Sequence, residues 1–188
     1  MLTFIKNLTS NNIALYALLG ICPLILYQLS IKDCLIIGTV ISSIMLLSTW
    51  LIMLFYYFII IPINLFYLKI ITFTIIIYLM IQFTKITINK FYPQVSKLFD
   101  KYPEFFYTNI AIYGSIFLNI KPQLKFLSST VNTLGSGLGY LIITILFNSI
   151  KERINDSNNS SMSHQLVIAL ILLGLIGLVF IGATGFEQ

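Results

Sequence analysis

The chain has 188 residues, 58% of them hydrophobic and 9% charged, with a mean hydropathy of +0.95. Soluble domains carry roughly 25% charged residues, so this composition excludes a water-soluble domain and puts the chain in the membrane class. The net charge of +5 does not argue for a nucleic-acid partner, because the positive residues fall between apolar runs and form no basic face; their role is to set orientation across the lipid bilayer.

A helix crossing about 30 Å of hydrocarbon needs roughly 20 apolar residues. Lys6 precedes an apolar stretch, but no small-residue cleavage site follows and more spans come after, so a cleaved signal peptide is not expected. The closing Phe186-Glu187-Gln188 carries no lipidation motif. The first candidate span, 13–29, is short and holds Gly20 and Pro23. Residues 34–68 contain no charge, enough for most of two spans. Pro62 and Asn64 supply the turn, giving one helix to about Ile61 and another from about Leu65 to Thr84, with Lys69 placed to snorkel. Next comes 105–120, again short, with Asn109, Gly114 and Asn119 inside it. The uncharged run 126–150 is expected to end at Lys151-Glu152-Arg153. The polar stretch 156–163 reads as a loop and 165–186 as a clean last span.

The two short candidates carry the most information. Proline removes a backbone donor, and asparagine brings an amide that hydrocarbon cannot satisfy. Such segments survive only against protein or a watery cavity, so each is expected to be a broken helix. Each is also the first of three: short, long, long, then short, long, long. Asn12-Ile13-Ala14-Leu15-Tyr16 is similar to Asn109-Ile110-Ala111-Ile112-Tyr113 at an offset of 109 − 12 = 97, and Gly38 and Gly135 share it, 135 − 38 = 97. The expected fold is therefore all-α and integral to the membrane, a single polytopic domain over 1–188. Six transmembrane helices form two inverted three-helix repeats, about 1–90 and 91–188, the first helix of each half short or broken.

Six spans put both termini on one side. That side holds Lys6, Lys69, Lys121 and Lys125; the other holds Lys32, Lys85, Lys90, Lys97, Lys101, Lys151 and Arg153. Seven against four puts the second set in the cytoplasm and both termini outside.

No nucleophile–base pair, phosphate loop or paired metal motif is present, so no catalytic residue is expected. His164, the single histidine, fits an interfacial or capping place at the start of the last helix. Asp100, Lys101 and Glu104 fit a solvated loop or helix end, although acids inside a membrane would mark an ion path. Gly135, Gly137 and Gly139 alternate as in a loose glycine-rich loop, but at membrane depth they serve close helix packing. Cys22 and Cys34 are too few for a disulfide framework or a complete metal site within one chain. Cys22 stands in Gly20-Ile21-Cys22-Pro23, where the proline breaks the helix. Two readings stay open there: a thiolate binding soft metal such as iron, or a small apolar core residue. Cys34, at the mouth of the second helix, reads as the latter.

Leu18-Leu19-Gly20-Ile21-Cys22-Pro23 resembles the L-G-L-C-P motif of the Rnf/Nqr membrane subunits. Ile61-Pro62-Ile63-Asn64-Leu65-Phe66-Tyr67-Leu68 is similar to that family's I-P-L-N-L-x-Y-L, and Gln82-Phe83-Thr84 and Thr108-Asn109-Ile110-Ala111 stand where Q-F-T and T-N-C-A are expected. Ile150-Lys151-Glu152-Arg153 resembles I-R-E-R, and Phe180-Ile181-Gly182 with Gly185 resembles the closing F-M-G-x-x-G. The order of these pieces is most similar to the RnfA type, then to the NqrE type, and less to the opposite-facing RnfE/NqrD type.

The resemblance implies an inner-membrane subunit of a redox-driven, ion-translocating electron-transport complex, not catalytic alone. Its partners would be the other membrane and peripheral subunits, above all an RnfE-like homologue lying back to back with it. It also implies a [2Fe–2S] cluster shared by the two, each lending the cysteines of its two broken helices. Here Cys22 keeps the first ligand position, but the second falls at Ile110, and isoleucine cannot bind iron. Three outcomes stay open: a cluster with a non-standard ligand, a lost cluster, or a structural role. The alternatives are an NqrE-like subunit of a sodium-translocating NADH:quinone reductase and a small inverted-repeat secondary transporter.

Overall fold

The computed structural model describes residues 20, 22–27, 29–60, 69–119, 126–157 and 162–185. Every element among them is helical: α1 (Cys22–Leu26), α2 (Ile31–Phe55, continued by a π-helical stretch Tyr56–Ile60), α3 (Lys69–Phe91), α4 (Pro93–Lys101), α5 (Glu104–Tyr107), α6 (Ile110–Asn119), α7 (Phe126–Ser157) and α8 (Met162–Gly185). Among the described residues, three helices are long and apolar enough to cross a membrane: α2 with its π-helical extension, α3 and α7. Leu166–Val179 of α8 forms a shorter apolar stretch. Large apolar side chains face outward along these helices, with Phe58 76% and Leu127 75% exposed. A surface of that kind belongs in lipid rather than water.

The centre of the molecule is the contact between α2 and α7, the most extensive between any two elements. Partners run in opposite senses along it: Gly38 meets Leu141, Ser42 meets Gly137, Thr49 meets Thr133 and Trp50 meets Thr130. The two helices are therefore antiparallel. Lipid tails are as apolar as leucine, so helices in a bilayer associate by close packing and by hydrogen bonds of about 0.6 kcal/mol each. Both devices are present. A Cβ on Gly137 would stand 3.0 Å from the Ser42 Cβ, and Ser42 Oγ donates to the Gly137 carbonyl at 2.9 Å. Of the alternating glycines, Gly137 thus serves close helix packing, as their spacing suggests. Helices α3 and α6 pack on α2, and α8 touches α7 and α1.

Several boundaries differ from the sequence expectation. Helix α3 runs past Thr84 to Phe91, because Lys85 turns outward and pairs with Asp100 at 2.9 Å. Lys69, at the start of α3, sits over the Tyr56 and Phe73 rings at 5.4 and 5.7 Å, a cation–π pairing at its end of the span. Helix α7 does not stop at Lys151-Glu152-Arg153 but continues to Ser157, because Lys151 turns inward onto carbonyl oxygens. Asp156 and Ser157 are therefore helical rather than part of a loop, and Met162 and Ser163 already belong to α8. Asn12 to Tyr16, the Pro62 and Asn64 turn and the His164 side chain lie outside the described residues.

Candidate functional site

The segment 105–120 is broken, as its asparagine requires: α5 ends at Tyr107, and α6 begins at Ile110. A break inside a membrane protein leaves carbonyls on one side and N–H groups on the other without partners. Asn109, fully buried, serves both. Its Nδ2 donates to the Phe105 carbonyl at 3.1 Å, and its Oδ1 accepts from the Ala111 N–H at 3.0 Å. The second bond is an N-cap of α6.

The turn at Gly20, ahead of α1, meets this break. Gly20 is buried with φ +84°, a left-handed conformation open to glycine, and it turns the chain into α1. A Cβ there would collide with Asn109 Oδ1 and stand 2.7 Å from the Ala111 Cβ and 3.0 Å from Tyr140 Cε2. Tyr140, fully buried on α7, joins the two: its hydroxyl accepts from Asn109 Nδ2 at 2.9 Å and donates to the Gly20 carbonyl at 3.4 Å.

The far end of α1 is closed from α7 as well. Lys151 is 5% exposed, and its Nζ donates to the carbonyls of Leu24 and Ile25 at 2.8 Å and of Tyr27 at 3.1 Å. Asn148 Nδ2 donates to the Leu29 carbonyl at 2.7 Å. Tyr27 in turn packs edge-on against Tyr102, ring centroids 5.2 Å apart. One face of α7, carrying Tyr140, Asn148 and Lys151, thereby holds α1 at both ends.

Cys22 opens α1 and is exposed, so the reading of it as a buried apolar residue is corrected. Ile110 opens α6 and is 53% exposed. Cys22 is two residues from Gly20, and Ile110 lies between Asn109 and Ala111, so both positions flank the contact of Gly20 with those two residues. Cys34 is 2% exposed in the core of α2, as expected. Asp100 and Lys101 are exposed at the end of α4, but Glu104 is not solvated throughout: its Oε2 is buried with no hydrogen-bond partner among the described residues.

The donors on these residues fall short of a pair of cluster ligands. Cys22 offers one sulfur, Ile110 offers an alkyl group, and Cys34 is enclosed elsewhere. Among the described residues no three His, Cys, Asp or Glu side chains converge.

Sequence reasoning singles out Cys22 and Asn109 but misses Tyr140, Asn148 and Lys151. Their signal is a polar stripe at helical spacing through an apolar helix: Ser129, Thr133, Ser136, Tyr140, Thr144, Asn148 and Lys151, all buried.

The Rnf-Nqr family, described as "Rnf-Nqr subunit, membrane protein", matches residues 1–186. Relatives from Pectobacterium atrosepticum, Proteus mirabilis and Escherichia fergusonii, each named as the A-type subunit of an ion-translocating oxidoreductase complex, are 30% identical to this chain. Each alignment covers 100% of this chain and 97% of the relative.

Proposed function

This chain belongs to the Rnf-Nqr family of membrane subunits, and we infer that it serves as the RnfA-type subunit of an ion-translocating oxidoreductase complex. It is a membrane component of an electron-transport assembly, and other subunits of that assembly are its partners. The observation that carries this reading is similarity over the whole chain to relatives of that name.

The finer architecture is our proposal. Two three-helix repeats of opposite orientation, six spans in all, are supported by the antiparallel packing of α2 and α7, each at the place of the second expected span of its half. The 97-residue offset supports the same plan. The charge distribution, six against four once the inward-facing Lys151 is set aside, favours both termini on the periplasmic side of the inner membrane that the family resemblance implies.

What the chain contributes follows from its own residues. Asn109 and Tyr140 satisfy the backbone between α5 and α6 and at Gly20, and Lys151 satisfies the end of α1, in a medium that offers no water. The first residues of α1 and α6, Cys22 and Ile110, stay exposed beside the contact and form the surface we assign to an RnfE-like partner. The proposed role of Cys22 is to ligate a [2Fe–2S] cluster shared with that partner. With an alkyl group at 110, this chain lacks the second thiolate, so no electron step through the cluster follows from its residues.

The test is purification of the native complex through this chain in mild detergent, with iron analysis and low-temperature EPR of wild type and Cys22→Ser. Co-purifying flavin- or iron-bearing subunits support the membership in a complex. Loss of a [2Fe–2S] signal in the variant supports the ligand role, whereas matching spectra overturn that role alone. An intact chain that brings no partner overturns the subunit reading in favour of a lone transporter.

A further inference from the structure

We propose that the carboxyl end of α1 is a monovalent-cation site, which this chain fills with an ammonium group of its own, that of Lys151. A helix leaves its last carbonyls without partners, and their dipoles give that end a partial negative charge. In α1 the chain continues irregularly after Leu26, so the carbonyls of Leu24, Ile25 and Tyr27 converge on one point. The group found there carries three N–H donors and meets three oxygens, at 2.8, 2.8 and 3.1 Å.

The environment distinguishes this lysine from the others. Lys85 pairs with a carboxylate, and Lys69 lies over aromatic rings. Lys151 is 5% exposed, flanked on its own helix by buried Phe147 and Asn148. Among the described residues, no carboxylate lies within ion-pair distance of it. A buried monocation held only by neutral carbonyls is in the ligand field of a dehydrated alkali ion. Filters and unwound helix ends build such fields by replacing water with backbone oxygens. The tether explains why the site is filled by the chain itself: an ammonium on a side chain carries no entropy of association. Once the tether is cut, three carbonyls remain aimed at a charge-sized space, and sodium or potassium is the class of ligand that fits it. The inference is independent of Cys22 and of any cluster.

The experiment compares thermal unfolding of the native complex carrying wild-type chain, Lys151→Ala or Lys151→Gln in sodium, potassium and choline chloride at equal ionic strength. Wild type is expected to unfold at one temperature in all three. Lys151→Ala is expected to unfold about 5–15 °C lower in choline, and to recover in a saturable way with sodium or potassium. Equal loss in all three salts overturns the proposal, as does a wild-type response as large as the variant's. Should Lys151→Ala fail to accumulate, Lys151→Gln keeps two amide donors and no charge. It should sit between the two in choline and gain with an alkali ion. A glutamine variant that matches wild type in choline, or shows no alkali dependence, overturns the proposal.

Discussion

Gly20 faces the side chain of Asn109 where the turn before α1 meets the break between α5 and α6, with no room between them for a methyl group. The glycine also holds φ at +84°, so two separate costs attend any side chain there. The left-handed backbone costs an L-residue about 1–2 kcal/mol, and overpacking adds about 1–3 kcal/mol. Gly20→Ala is therefore expected to lower the unfolding temperature of the purified protein by about 5–15 °C. Adding Asn109→Ala should relieve only the collision with the amide, leaving the backbone cost and the 2.7 Å approach to the Ala111 Cβ, so the double variant should lose less than the sum of the two singles. A Gly20→Ala protein that melts within about 2 °C of wild type would show that Gly20 and Asn109 do not meet as described.

Asn109 and Tyr140 act as one unit, because the hydroxyl that accepts from the amide also donates to the Gly20 carbonyl. Tyr140→Phe leaves the amide one acceptor short, and Asn109→Ala strands the Phe105 carbonyl and the Ala111 N–H. Each loss is expected to cost about 1–3 kcal/mol. Removing both should cost clearly less than the sum, since the second change finds its partner already gone. Strict additivity in chemical denaturation of the two singles and the double would sink the network.

Residue patterns make part of this architecture legible. Composition announces the membrane, uncharged runs mark α2, α3 and α7, and Asn109 inside an apolar stretch marks a break that the backbone does make. Local pattern misleads at Lys151, because a charge at the end of an apolar run looks like a boundary. Only the three-dimensional approach of α1, 124 to 127 residues away in sequence, supplies the carbonyls that let it face inward. Glu104 misleads in the same way: its neighbours Lys101 and Asp100 are exposed, yet one of its oxygens is enclosed. Tyr140 and Asn148 show locally only as members of the polar stripe of α7; what they hold, Gly20 and Leu29, is 120 and 119 residues away.

Lys85 and Asp100 join α3 to α4 at 2.9 Å, but their side chains are 31% and 66% exposed. Water screens such a pair, and its contribution is about 0–1 kcal/mol. Lys85→Ala should shift the unfolding temperature by no more than about 3 °C, and the exchange Lys85→Asp with Asp100→Lys should restore what is lost. A larger fall that roughly 1 M salt leaves unchanged would mean that α4 docks through this pair rather than through its buried Ser96 and Phe99, the latter stacked on Phe106.

Cys22 and Cys34 differ in exposure, and that difference reports on assembly. Cys22 is exposed at the start of α1, whereas Cys34 is 2% exposed between packed helices. A thiol reacts as its thiolate and only when a reagent reaches it, so a small maleimide should label the isolated chain once, at Cys22. Cys22→Ser should leave the chain unlabelled until it is unfolded. In the assembled complex the same reagent should label Cys22 at least about tenfold more slowly, because a partner that covers the region between α1 and α6 excludes it. Rapid labelling of Cys34 in the folded chain would contradict the α2 packing. Equal labelling of Cys22 in the free and assembled forms would remove this surface as the partner's seat, leaving the subunit reading intact and moving its interface elsewhere.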